Sequence, residues 1–170
     1  MNRETESKFY IGIDNGVTGS IGIVGKELTY YEFMETPVTF GQDYTKIKKN
    51  VSRVNVTALA EVVSTLKECG MCVAVLERPM KNPARFDATC SAMRALEAEL
   101  TVLELYEIPY MFIDSKEWQK EMLPKGVTGT KELKKASLDI GKRLFPEIKD
   151  KHPDRDGILI AEYARRKCLL

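Results

Sequence analysis

Apolar residues along this chain fall into short blocks with two different periods. Phe9-Tyr10-Ile11-Gly12-Ile13 has strand length and stops on an acid, Asp14. Ser20 to Val24 is a second such block and Leu28 to Met34 a third. Asn15-Gly16-Val17-Thr18-Gly19 and Gly25-Lys26, which separate them, are turn residues that tolerate positive φ. Three short strands joined by such turns predict an antiparallel meander. The period then changes. Val56, Leu59, Val62, Val63 and Leu66 repeat at helical spacing and end at Gly70. Cys72 to Leu76 is nearly all apolar, as expected of a strand covered on both faces, and it too stops on an acid, Glu77.

The second half repeats the alternation. Residues 88–106 predict a long helix with Met93, Leu96, Leu100 and Leu103 on one stripe. Pro109 to Ile113 is another short strand, ending on Asp114. Ser115 to Met122 is a short helix carrying the single tryptophan, Trp118. Lys131 to Leu144 is a helix stopped before Pro146, and Asp154 to Cys168 is the last helix. Residues 36–54 are polar without a clear period and read as a loop that contacts a ligand or moves. The order is three strands, helix, strand, helix, strand, then helices. It predicts an α/β layered domain whose five-stranded mixed sheet has three antiparallel strands and two parallel ones, flanked by helices. Residues 1–170 form one domain in this reading, with 1–7 flexible.

Composition narrows the classes. With 170 residues, 44% of them hydrophobic, the chain is long enough for a real core. A formal net charge of +1 argues against a nucleic-acid coat protein, though not against a local basic face, for which the C-terminal half supplies many lysines. No apolar stretch has membrane-span length, and residues 1–8 lack the apolar core of a signal peptide, so an intracellular location is expected. Cys69 and Cys72 form a lone C-x-x-C. Cys90 and Cys168 do not supply the second pair that zinc would want, and buried free thiols are expected.

The chemistry lies with the acids. An apolar strand that stops on a carboxylate delivers it to the rim of the sheet, and Asp14 and Glu77 are both so placed. A third acidic cluster, Asp154 and Asp156, opens the last helix. Three or four converging carboxylates suit hard divalent cations, Mg²⁺ or Mn²⁺. Two such ions can activate water and stabilise the leaving oxygen of a phosphodiester. Each acid also has a plainer reading. Asp14 before Asn15-Gly16 can shape the turn, Glu77 can pair with Arg78 or Lys81, and Asp154 or Asp156 can cap a helix. Pro153 suits the first helical position. If the helix starts there, Asp154 and Asp156 face nearly opposite ways. Both can bind metal only if Asp154 sits in the preceding loop. Asp156 is the firmer choice, and Asp154 and His152 compete for the remaining place.

Ile11-Gly12-Ile13-Asp14-Asn15-Gly16-Val17-Thr18-Gly19-Ser20-Ile21-Gly22, Val75-Leu76-Glu77-Arg78-Pro79 and Ser115-Lys116-Glu117-Trp118-Gln119 occur in that order. Lys134-Lys135-Ala136-Ser137, Leu144-Phe145-Pro146 and Asp156-Gly157-Ile158-Leu159-Ile160-Ala161 follow them. As an ordered set these segments resemble the RuvC-type Holliday junction resolvases of the RNase H-like fold, and most of all the phage and chloroplast branch. The resemblance implies a metal-dependent homodimeric endonuclease that nicks a four-way DNA junction symmetrically. Asp14, Glu77 and Asp156 match the family's metal-binding acids. The family's fourth ligand, an acid or a histidine, lies a few residues before the last, where this chain has Asp154 and His152. A family lysine near the cleaved phosphate matches Lys134 by its Lys-x-x-Ser spacing, with Lys131 as the alternative. Gly157 stands where the family usually has alanine. Arg85, Phe86, Lys116, Lys131, Lys134 and Lys135 are the candidate DNA contacts, and Phe86 is equally readable as core. The 88–106 stripe reads as part of a dimer interface or as packing on its own sheet. Three rival readings remain: a sugar-kinase or actin-like ATPase, an inactive RNase H-like binding module, and a nuclease for flaps, forks or structured RNA.

Overall fold

The computed structural model describes residues 8–47 and 49–170, so the flexibility expected of 1–7 lies outside the described residues. β1 (Lys8–Asp14), β2 (Ser20–Gly25) and β3 (Tyr31–Glu35) form the expected antiparallel meander. After an excursion, α1 (Val56–Cys69) leads into β6 (Met71–Glu77), which pairs parallel with β1. α2 (Phe86–Leu105) then leads into β7 (Tyr110–Ile113), parallel to β6. The sheet order is β3-β2-β1-β6-β7. α3 (Ser115–Met122), α4 (Thr130–Leu144) and α5 (Asp156–Lys167) complete the chain.

Alternation along the central strands divides the core into two layers. Ile11, Ile13, Ala74 and Leu76 face α1 and α2, where they meet Leu59, Val63, Leu96 and Leu103. Tyr10, Val73 and Val75 face the other helices, where they meet Trp118, Phe145, Ile158 and Ala161. Both faces of β6 are thus covered, which is why it reads as an unbroken apolar block. Leu96 and Leu103 are buried in the first layer, and Met93 and Leu100 pack partly against it. The α2 stripe therefore packs on its own sheet.

α5 lies directly on the sheet because glycines remove the side chains that would separate them. A Cβ on Gly12 would fall 2.2 Å from the Gly157 carbonyl oxygen, and one on Gly22 would fall 2.1 Å from Ile158 Cα. A Cβ on Gly157 would fall 2.5 Å from the Ser20 carbonyl oxygen. That gives a reason for glycine where alanine would favour the helix.

The polar excursion departs from its expectation. Residues 36–54 are not a loop: β4 (Val38–Gln42) and β5 (Asn50–Val54) form a two-stranded antiparallel hairpin outside the main sheet. Its register pairs Val38 with Val54 and Phe40 with Ser52. The hairpin carried no readable period because it buries little: of its ten strand residues only Val54 is buried. Asn55 closes the base, its amide donating to the Pro37 carbonyl while its side chain caps α1. Other boundaries moved less. β3 begins at Tyr31, after a turn in which Leu28 has φ 58°. α2 begins at Phe86, which is exposed and not core, and α5 begins at Asp156. All four cysteines are free thiols, but only Cys72 is fully buried. Cys69 and Cys168 are exposed, against expectation.

Candidate metal centre

The last parallel pair between β1 and β6 is Ile13 with Leu76, so Asp14 and Glu77 occupy the adjoining ends of neighbouring strands. α5 crosses beside them and presents Asp156, its first residue. Asp154 lies two residues earlier, in the loop, because the helix does not start at Pro153. Carboxylate oxygens of Asp14, Asp154 and Asp156 all lie within 4.8 Å of one another. Glu77 stands outside that tight group but close enough to raise the pKa of Asp14 and Asp156 through its charge.

Burial drives the electrostatics of the cluster. The Asp14 carboxyl is held well above the usual carboxylate range, first by burial and then by the charges of Asp156, Glu77 and Asp154. Asp156 is pushed up to about 7 by burial and by Asp154, with a hydrogen bond from Ser137 opposing. Glu77 is raised by burial, against a 2.6 Å hydrogen bond that the Trp118 indole Nε1–H donates to its Oε2. Among the described residues one lysine meets the cluster: Lys134 Nζ donates to Asp154 Oδ2 at 2.8 Å, and that bond raises the lysine's pKa. Once ionised, the four acids outnumber the Lys134 ammonium in a confined, all-oxygen site, and a bound cation would favour that ionised form. Such a donor set fits a hard divalent cation, with Asp14, Asp154 and Asp156 as the residues that would hold it and Glu77 at its edge.

The loop before α5 is braced from behind. Arg155 is buried, and its guanidinium donates to the carbonyls of Asp150 (2.7 Å), His152 (3.1 Å) and Asp154 (2.9 Å). It lies 4.7 Å over the ring of Phe33. The Ser137 hydroxyl accepts the Arg155 amide, and the Ser20 hydroxyl accepts the Gly157 amide at 3.0 Å. His152 is buried behind Asp154. Its Nδ1 is 3.2 Å from Asp154 Oδ1 and its Nε2 is 3.3 Å from the Thr18 carbonyl. Of the two competitors for the fourth place, Asp154 therefore joins the carboxylate group and His152 does not.

Among the other sequence candidates, Lys134 reaches the cluster while Lys131 is exposed on the same helix, as is Lys135. Lys116 is exposed on α3. Arg85 and Phe86 are exposed at the start of α2, where Arg85 helps line a groove of about 270 Å³ that also touches Asn15, Glu77 and Met80. The third strand-ending acid, Asp114, is structural. It forms a capping box with Glu117 at the start of α3 and pairs with Arg78, which leaves Glu77 free of that arginine.

Ser137, Ser20 and the indole of Trp118 were not legible as site residues, since each acts through contacts between distant segments, and Arg155 was not because its guanidinium turns inward onto the carbonyls of its own loop. The one available signal was spacing: Lys134 and Ser137 are three apart on a helix and so share a face. Glu99 gave no signal. It is fully buried on α2, and burial pushes its pKa up to about 8 although the Gly16 amide points toward it. Among the described residues neither of its oxygens reaches a donor at full hydrogen-bond geometry.

No protein-family model and no curated protein matches the chain. Among solved structures it is similar to T. thermophilus RuvC in complex with a Holliday junction substrate, with a TM-score of 0.60 and 14% identity over 94% of this chain and 96% of that one. A second Thermus thermophilus RuvC structure matches with a TM-score of 0.50 and 12% identity over the same shares. This is the RuvC fold. The shared fold covers nearly the whole chain, and within it the sheet order sets β1 beside β6, where α5 crosses at the carboxylates. Between identities this low, the shared feature is architecture.

Proposed function

We propose that this chain is a metal-dependent endonuclease for branched DNA, which resolves four-way junctions by paired symmetric nicks as a homodimer. The observation that carries this reading is the convergence of Asp14, from the end of β1, with Asp154 and Asp156, from the start of α5, on one point of a RuvC-like fold. Divalent ions bound there, Mg²⁺ or Mn²⁺ and two per site in this reading, would supply a water nucleophile and charge stabilisation for the leaving oxygen.

The chain's own residues do the rest. The sheet and α5 hold the acids rigidly, so little reorganisation accompanies the reaction. Trp118 fixes the orientation of Glu77 through its indole N–H. Lys134 is 45% exposed while Asp154 holds one of its three donors, so the others remain directed outward to a phosphate. Arg85, Phe86, Lys116, Lys131 and Lys135 form the exposed contacts to the DNA arms, and their phosphate interactions make binding salt-sensitive. A junction has approximate two-fold symmetry, and a two-fold dimer sets two such sites on opposed strands.

The test compares cleavage of a synthetic four-way junction, a flap, a fork and a linear duplex, with and without Mg²⁺ or Mn²⁺. The junction should be cut in paired nicks, and only with metal. Asp14→Asn and Glu77→Gln should abolish cutting and still bind the junction. A variant that cuts like wild type overturns the reading. Preference for the flap or fork keeps the chemistry and replaces the substrate.

A further inference from the structure

Only Val54 of the β4–β5 hairpin joins a core layer, and the rest exposes more apolar surface than a mere connection needs. Phe40, Tyr44 and Ile47 are 75%, 94% and 79% exposed. The sequence from 38 to 54 holds four basic residues, Lys46, Lys48, Lys49 and Arg53, against one acid, Asp43. That is a local excess in a chain whose overall charge is near zero. Asp43 is engaged within the hairpin turn, where its carboxylate accepts the Tyr44 amide at 2.7 Å. Exposed aromatics interleaved with lysines suit nucleic acid, since rings stack on bases and ammonium groups meet phosphates.

The hairpin also faces the right place. Between it and the first turns of α2 lies a groove of about 350 Å³. Tyr44 and Lys49 line one side, Phe86 and Arg94 the other, and Val17 and Val51 contribute to the lining between them. Val17 is three residues past Asp14, on the same turn as Asn15, which lines the groove beside Glu77. The two grooves thus flank the same turns of α2 and both start from the 14–17 segment. Inside the hairpin groove Lys49 and Arg94 are balanced by Asp43 and Asp87, so its charge does not select a phosphate. Its aromatic lining favours a flat ring.

We propose that this groove receives an unpaired nucleotide of the DNA substrate, the base lying against Tyr44 and Phe86 and the backbone passing outside the groove, toward exposed Lys46. The inference rests on the endonuclease reading above and deepens it: the enzyme selects branched DNA with unstacked nucleotides near the branch point. A continuous duplex cannot offer a base to the groove without unstacking it.

The experiment measures, by fluorescence anisotropy without divalent metal, the affinity of the full chain for four probes: a fully paired junction, the same junction with a short unpaired gap beside the branch point, an oligo-dT single strand and a linear duplex. Wild type should prefer the gapped junction. Tyr44→Ala and Phe86→Ala should each reduce that preference, and the affinity for oligo-dT, at least about fivefold, the lower end of what one stacked base contributes. Tyr44 is almost wholly exposed, so its removal leaves the fold intact. If both variants keep the wild-type preference while wild type binds and cuts junctions, the groove assignment is overturned and the endonuclease reading stands. If wild type neither binds nor cuts branched DNA while Tyr44→Ala still weakens oligo-dT binding, the endonuclease reading falls and the groove survives it. If Tyr44→Ala instead dissociates a dimer in sedimentation with DNA preference unchanged, the surface belongs to a second copy and the proposal is wrong.

Discussion

Gly12→Ala should disable the protein from inside the sheet. The new methyl would lie 2.2 Å from the Gly157 carbonyl oxygen and 2.3 Å from the Ala161 amide nitrogen. Both obstacles are backbone atoms of α5, so no change of rotamer relieves them. Ordinary contact begins at 3.4 Å, so the helix must withdraw by about 1 Å. Overpacking of this kind costs about 1–3 kcal/mol. Alanine recovers about 0.5–1 kcal/mol through the smaller entropy loss of a strand residue that is not glycine. A net destabilisation of up to about 2.5 kcal/mol remains, centred on about 1 kcal/mol, because Ile158 to Ala161 lose contacts along the interface. The same withdrawal carries Asp156, the first residue of α5, away from Asp14, two residues beyond the substitution. A misplacement of about 1 Å can lower a rate on the order of a hundredfold. Urea unfolding should show a lower midpoint at unchanged slope, and single-turnover junction cleavage should drop far more than junction binding. Gly41→Ala is the stability control, since a methyl there meets nothing within 4 Å. A Gly12→Ala protein that unfolds at the wild-type urea concentration and cuts at the wild-type rate would refute the seating of α5 on β1.

Lys134→Ala should slow single-turnover cleavage by about a hundredfold, as loss of one charged donor at a reacting centre commonly does. Junction affinity should change far less, and an unchanged rate would clear Lys134 of any part in the reaction. Glu99→Gln tests the buried acid. Folded Glu99 keeps its proton to about pH 8, whereas an ordinary glutamate loses it near 4.5. Its contribution to stability is therefore complete below about pH 4.5 and is lost as pH rises toward 8, at about 1.4 kcal/mol per unit. Urea midpoints at pH 5, 7 and 9 should fall less steeply in the glutamine variant than in wild type. Equal slopes would show that Glu99 is ionised in the folded protein at neutral pH.

Local pattern alone determined much of this protein. Strand blocks of period two and helices of period 3.6 dictated the layered α/β order, because each element must bury its apolar face. The stops at Asp14 and Glu77 were visible because a strand covered on both faces cannot hold a bare carboxylate, so each acid marks a strand's emergence. Only tertiary structure decided the remainder. Whether Asp154 or His152 joined the cluster depended on where α5 begins, and buried Arg155 settles that by binding three carbonyls of the loop before it. Trp118 meets Glu77 across 41 residues and Ser20 meets the Gly157 amide across 137, spans for which sequence spacing holds no information. The β4–β5 hairpin escaped notice for the opposite reason: it buries so little that no period was imposed on its residues. Patterning records which faces are hidden from water, whereas a site is made where hidden faces from distant segments meet, and that meeting is set by the packing of the whole.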